Sequence, residues 1–188
     1  MNIKQLEADF LLPANLTKGT IYDSFYNLFT KDEFEVYADD VFALMQESYK
    51  DVGGLLNIKT VDDLMAEGDF WKLVVRNGHV YAAAVYKKTQ YGRKAKLMGT
   101  DGSAQGKKDL LTIMSEDVRE VSRGAYYEVS EAPEHILKTK FGMTPIPVED
   151  VPKIINKSVT PTGDGYHYKR DVGGLVKEKI LLGNPKTK

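Results

Sequence analysis

The run Lys94-Ala-Lys-Leu-Met-Gly-Thr-Asp-Gly-Ser-Ala-Gln-Gly-Lys-Lys-Asp-Leu-Leu-Thr-Ile-Met holds the residues with the clearest chemical purpose. Gly102 and Gly106 lie between a strand-like stretch and an amphipathic one, and glycine lets a backbone bend and approach a ligand closely. The first N–H groups of a helix have no intrahelical partner and carry its positive dipole end, so such a turn suits an anionic cofactor. The expected donors run from Ser103 through Ala104, Gln105 and Gly106 to Lys107, with Lys107 or Lys108 adding charge at the rim. The same pattern also serves as a plain strand-to-helix loop in which the glycines only permit the bend.

Composition removes other chemistries. The absence of cysteine excludes disulfides, a thiolate nucleophile and thiolate metal sites. His79 and His167 lie far apart without an acidic pair at ligand spacing, so no metal is expected. A net charge of −1 with 28% charged residues offers no global case for nucleic acid or an anionic membrane. The acidic start lacks a signal-peptide pattern, and no run approaches the ~20 apolar residues of a membrane span. The expectation is one soluble, cytoplasmic domain over residues 1–188.

Elements must hold the turn in place. Val41, Leu44, Met45 and Ser48 share a helical face from Ala38 onward, with Gly53-Gly54 as the stop. A short helix is expected from Thr60, whose hydroxyl caps a turn bearing Asp62 and Asp63, and Gly68 ends it. Phe70 to Arg76 and His79 to Tyr86 flank Asn77-Gly78, a strong hairpin signal. A third strand, Arg93 to Gly99, alternates Lys94 and Lys96 against Ala95 and Leu97. The helix behind the turn sets Leu111, Met114, Val118 and Val121 on one stripe, with Thr112, Glu116, Arg119 and Glu120 outward and Gly124 closing it. Ala125 to Val129 is predicted to return parallel to the third strand as a right-handed βαβ unit. A helix over Pro133–Lys140, stopped by Gly142, and a hairpin of Tyr166–Val172 with Leu175–Leu182 complete the core.

In this order the chain resembles the GCN5-related N-acetyltransferase (GNAT) superfamily, over about Ala38 to Gly183. The resemblance implies an α/β (α+β) fold: a mixed, mostly antiparallel twisted sheet with a central parallel βαβ unit and helices on both faces. It implies acetyl-CoA as cofactor, with the pyrophosphate on the turn before the central helix and the pantetheine arm in the splay of the two parallel strands. It implies direct transfer of the acetyl group to an amine of a small molecule or a protein. The family's turn signature is Arg or Gln, two residues, Gly or Ala, one residue, Gly or Ala. Asp101-Gly-Ser-Ala104-Gln-Gly106 keeps both small positions and has Asp101 at the first. A family Tyr four residues before the Gly of Gly-Phe falls on Lys138, counting back from Gly142, and Met143 replaces the aromatic. These departures support an alternative, a catalytically inactive binding protein of the same fold that engages a host protein. The tail from Asp164 to Gly183 is similar to small superfamily members encoded by tailed bacteriophages.

Direct transfer needs a base for the amine and a donor for the departing thiolate. Within the resemblance Glu128 is the first candidate base, directly or through water, and Glu131 the second; the alternative for both is a solvated carboxylate. Tyr126 and Tyr127 point to opposite strand faces, so one of them, Tyr127 in the preferred assignment, reaches the cleft in place of the missing Tyr. His135 reads as a helix-surface residue near the family's acid position, and Lys138 either binds a CoA phosphate or is a solvated helix residue. Tyr166, Tyr168 and Arg170 share a strand face that lines an acceptor pocket or packs across strands, and Trp71 belongs to the core. Residues 1–37 supply a first strand, an acceptor-site lid or a homodimer contact, and 184–188 form a basic tail.

Overall fold

Local chemistry sets the first elements. The computed structural model describes residues 24–25, 31–52, 54–55, 57–119 and 124–184. A two-residue strand β1 (Ser24–Phe25) precedes helices α1 (Lys31–Glu35) and α2 (Ala38–Tyr49). Helix α3 (Val61–Glu67) opens on a reciprocal capping box, in which the Asp63 amide donates to the Thr60 hydroxyl and the Thr60 amide to the Asp63 carboxylate. Gly68 ends α3 in an extended conformation, and its reason is space: a Cβ there would lie 2.7 Å from Val85 and 2.9 Å from Trp71. The hairpin of β2 (Phe70–Arg76) and β3 (His79–Thr89) turns through Asn77 and Gly78 at φ of 49° and 76°. Positive φ at both central residues matches the right-handed twist of the strands.

Strand β4 (Gly92–Thr100) leads into α4 (Ala104–Arg119), β5 (Gly124–Val129) and α5 (Glu131–Phe141), which stops at Gly142 with φ 64°. Strand β6 (Thr144–Pro145), helix α6 (Val151–Ile155) and strand β7 (Thr160–Pro161) precede the closing hairpin β8 (His167–Val172) and β9 (Leu175–Gly183). The sheet runs β1-β2-β3-β4-β5-β9-β8-β7, with β6 on β9. Among the described residues β4 and β5 are the parallel pair. Their register covers Gly92–Gly124 to Ala95–Tyr127 and then ceases, although β4 runs on to Thr100 and β5 to Val129.

Two expectations need correction. Simple alternation put Ala95 and Leu97 on one face, but β4 carries a bulge: Val85 opposes Leu97 and Tyr86 opposes Ala95, leaving Lys96 as the extra residue. Leu97 therefore packs with α2 and α3 on one side of the sheet, and Ala95 with α4 and α5 on the other. On α4 the fully buried positions are Gly106, Asp109, Ile113 and Asp117, while Leu111 is 44% exposed. The expected apolar stripe is thus displaced, though Met114 and Val118 still pack inward. Two acids can sit on the buried face because the sheet sends cations to meet them: Arg76 binds Asp109, and Lys72 and Arg93 bind Asp117. Val121 and Glu120 lie outside the described residues.

Candidate active site at the parting of the parallel strands

The mouth of α4 lies just beyond the end of β4. Ser103 caps the helix, its hydroxyl accepting from the Gly106 amide at 2.9 Å. Asp101 in turn accepts the Ser103 amide at 3.0 Å and the Ser103 hydroxyl at 2.6 Å, and its other oxygen meets His79 at 2.9 Å. Burial would raise the Asp101 carboxyl, but the hydrogen bonds from Ser103 and His79 hold it below the usual range, so a negative charge stands at the helix entrance. Among the described residues no acceptor takes the amides of Ala104 and Gln105. Gly102 has φ 84° with open space where a Cβ would point, and Lys107 and Lys108 are exposed. Gly106 departs from its expected place. It is buried, and a Cβ would come within 2.6 Å of the Tyr81 carbonyl oxygen, so its bare backbone serves the approach of α4 to the start of β3.

Where β5 leaves, the edge of β4 is partly taken up from α2. The Met98 amide donates to the Tyr49 hydroxyl at 3.2 Å, and the Thr100 amide to the Ser48 hydroxyl at 3.0 Å. The Ser48 hydroxyl donates back to the Thr100 carbonyl at 2.9 Å. The sequence put Ser48 on the inward face of its helix, but its partner lies 52 residues away, beyond the reach of local pattern.

Glu128 is the first residue of β5 past the parallel pairing, on the α2 side of the sheet. Lys94 donates to its Oε2 at 2.5 Å, Arg170 grips both carboxylate oxygens, and the Tyr168 hydroxyl donates to Oε1 at 3.0 Å. Its side chain is 5% exposed. Burial alone would push the carboxyl up, but the Arg170 and Lys94 contacts outweigh it and draw the pKa down to about 2. A carboxylate with its lone pairs committed to four donors and so little proton affinity is a poor general base near neutral pH. Glu131, at the first turn of α5, is exposed and stands next in line on the chain beyond the mouth of the parting strands.

Tyr127 faces the other side. Its hydroxyl donates to Asp117, which also receives Tyr86 at 2.5 Å, Lys72 at 2.6 Å and Arg93 at 2.8 Å. Burial and then the charge of Asp117 push the Tyr127 hydroxyl well above its ordinary pKa. The hydroxyl is locked under α4 and does not face the α2 side where Glu128 lies, so the preferred assignment of Tyr127 as cleft acid conflicts with its hydrogen bonding. Tyr126 occupies the opposite face, in the apolar cluster with Val151, Ile154, Tyr168 and Leu181. A cavity of about 500 Å³ opens beside it, bounded by Tyr91, Ile146, Ile154 and Gly183, at the paired end of β5 and away from the mouth of α4.

Other candidates disperse. His135 is exposed, and Lys138 pairs with Glu134 at 3.2 Å on the surface of α5. Tyr168 and Arg170 share a face of β8 as expected, whereas Tyr166 precedes the strand and is 44% exposed. The ring nitrogens of His167 meet Asp164, three residues away, and Glu134, brought by α5 from 33 residues away. Trp71 is 1% exposed and stacks on Phe34 at 4.5 Å between ring centres. No helix of the described residues is long and apolar enough to cross a membrane.

No family model and no curated protein matches the sequence. Among solved structures the chain is similar to the ribosomal-protein-S18-alanine N-acetyltransferase from Escherichia coli, with a TM-score of 0.52 and 14% identity over 88% of this chain and 94% of that one. An acetyltransferase from Bacillus subtilis in complex with CoA gives a TM-score of 0.46 and 12% identity over 85% and 95% of the two chains. The IAA acetyltransferase from Bacillus cereus gives 0.43 and 16% over 85% and 98%. At these identities the likeness is one of fold, and the fold expected from the GNAT resemblance, a mostly antiparallel sheet opened by one parting parallel pair, is the fold observed.

Proposed function

We propose that the chain binds a coenzyme A thioester along the parting of β4 and β5 and transfers its acetyl group to an amine. The observation that carries this reading is the geometry of the pair itself: two parallel strands that hold register for four positions and then separate, with a helix N-terminus opening beyond one of them. Gly102 and the amides of Ala104 and Gln105 fit a pyrophosphate, with Lys107 and Lys108 at the rim. Asp101 fits it poorly and narrows the seat. Bound acetyl-CoA supplies a thioester, whose C–S bond is exchanged for a C–N bond while one proton leaves the amine and one joins the sulfur.

The residues of this chain act on the amine through charge. Lys94 and Arg170 surround the place beside the parting strands, and positive surroundings disfavour an ammonium and favour the neutral, nucleophilic amine. Glu128 anchors those cations. Glu131 is the carboxylate left to accept the proton, directly or through water. A second reading, a binding protein of the same fold without transfer, draws on the internal use of donors by Asp101, Ser103, Ser48 and Tyr49.

Thermal denaturation with acetyl-CoA and with CoA separates the two. A ligand at one hundred times its Kd adds about 2.7 kcal/mol to the native state, so the transferase reading expects a melting temperature higher by about 5–10 °C. No shift at millimolar concentrations of either compound overturns it. Binding without release of free thiol in the presence of amines supports the second reading instead.

A further inference from the structure

The seam beside the parted strands holds more positive charge than it neutralises. Lys179 lies opposite Tyr168 in the β8–β9 register and Lys177 opposite Arg170. Directly opposed residues share a sheet face, so Lys177 and Lys179 lie on the face where Arg170, Tyr168 and Lys94 hold one carboxylate, Glu128. That carboxylate is already committed to Lys94, Arg170 and Tyr168. Nearby Lys96 is matched by Glu67 at 3.1 Å. Among the described residues neither Lys177 nor Lys179 has a carboxylate in ion-pair contact. Both are half-buried. A half-buried ammonium without a counter-ion is costly, and a bound anion would relieve that cost. Consistent with this, burial draws the proton affinity of Lys179 below its usual value and the charge of Glu128 only partly restores it.

We propose that the amine acceptor carries an anionic group, a carboxylate or a phosphate, and that Lys179, with Lys177 beside it, receives that group while the amine lies toward the parting strands. The proposal rests on the transferase reading and deepens it by naming the acceptor class. The same excess charge works against polycationic acceptors, because no acid of the seam is left to hold a second ammonium. The anion then sets orientation, and the cations around it keep the amine neutral.

The test is equilibrium binding, which needs no turnover. L-glutamate, O-phosphoethanolamine and spermidine are titrated calorimetrically into the full chain, with and without CoA. Glutamate and phosphoethanolamine separate a carboxylate source from a phosphate source, and binding of either one supports the proposal. Spermidine is expected not to bind. Lys179→Gln and Lys177→Gln should each weaken the anionic probe by about tenfold, the worth of one charge-assisted hydrogen bond, while Lys179→Arg retains it. Trp71 fluorescence verifies that each variant is folded. The proposal is overturned if spermidine binds as tightly as the anionic probes, if neither anionic probe binds, or if both Gln variants keep full affinity. Anion selectivity without coenzyme A binding would sink the transferase reading and leave an anion site that is no acceptor site, whereas coenzyme A binding without anion selectivity would sink the anionic acceptor alone.

Discussion

Replacing Glu128 by Gln distinguishes a charge anchor from a catalytic base, because the two roles fail in different observables. The folded chain draws the carboxyl from 4.5 to about 2, which corresponds to about 3 kcal/mol of preference for the charged form. The folded-state pKa lies below the unfolded one, so this stabilisation is complete above about pH 4.5 and is lost as the pH falls toward 2. At pH 7 the Glu128→Gln variant also leaves Lys94, 7% exposed, and Arg170 without their anion. Breaking such a pair from one side costs about 3–5 kcal/mol, a fall in melting temperature of about 10 °C for a chain of this size. Urea unfolding read by the fluorescence of Trp71, the chain's single tryptophan, measures both effects. At pH 7 the variant should be destabilised by that amount, and its stability should vary less than that of the parent between pH 5 and pH 3. A variant within 1 kcal/mol of the parent at pH 7, with the same acid limb, would refute the reasoning. If it also lost turnover through an altered pH–rate profile, Glu128 would return as the base.

Three further outcomes follow from the same contacts. Gly106→Ala drives a Cβ toward the Tyr81 carbonyl oxygen, 2.6 Å away, and should lower the melting temperature by about 5 °C through overpacking; an unchanged transition would show that α4 has room to move. Asp101→Asn removes the negative charge from the helix mouth and should tighten coenzyme A about two- to fivefold at low salt, an effect contradicted if calorimetry finds equal or weaker binding. Tyr127→Phe removes one donor from Asp117 and should cost about 1–2 kcal/mol of stability while leaving the pH–rate profile of acetyl transfer unmoved; a displaced alkaline limb would make Tyr127 the acid after all.

Much of the frame was legible because its causes act within a few residues. Asn77-Gly78 accepts the positive φ that a tight hairpin needs, Thr60 and Asp63 satisfy each other's amides, and Gly142 ends its helix in the left-handed region. The βαβ order followed from the change of period on either side of the Gly-rich turn, and the register of β4 with β5 agrees with it. The bulge at Lys96 was not legible, since alternation along one strand does not reveal an extra residue against its neighbour.

The amino-acid sequence alone determined which segments turn, cap and alternate, and hence the order of elements around the candidate cofactor seat. Only the tertiary structure decided the chemistry of its carboxylates. Asp109, Asp117 and Glu128 take their character from Arg76, Lys72, Arg93, Lys94 and Arg170, which arrive from 24 to 45 residues away, beyond the reach of local pattern. Backbone preference is set by neighbours in the chain, whereas the proton affinity of a buried acid is set by the charges packed around it in space. That is why Glu128, a candidate base on the sequence alone, stands in the structure as the anchor of a cationic seam.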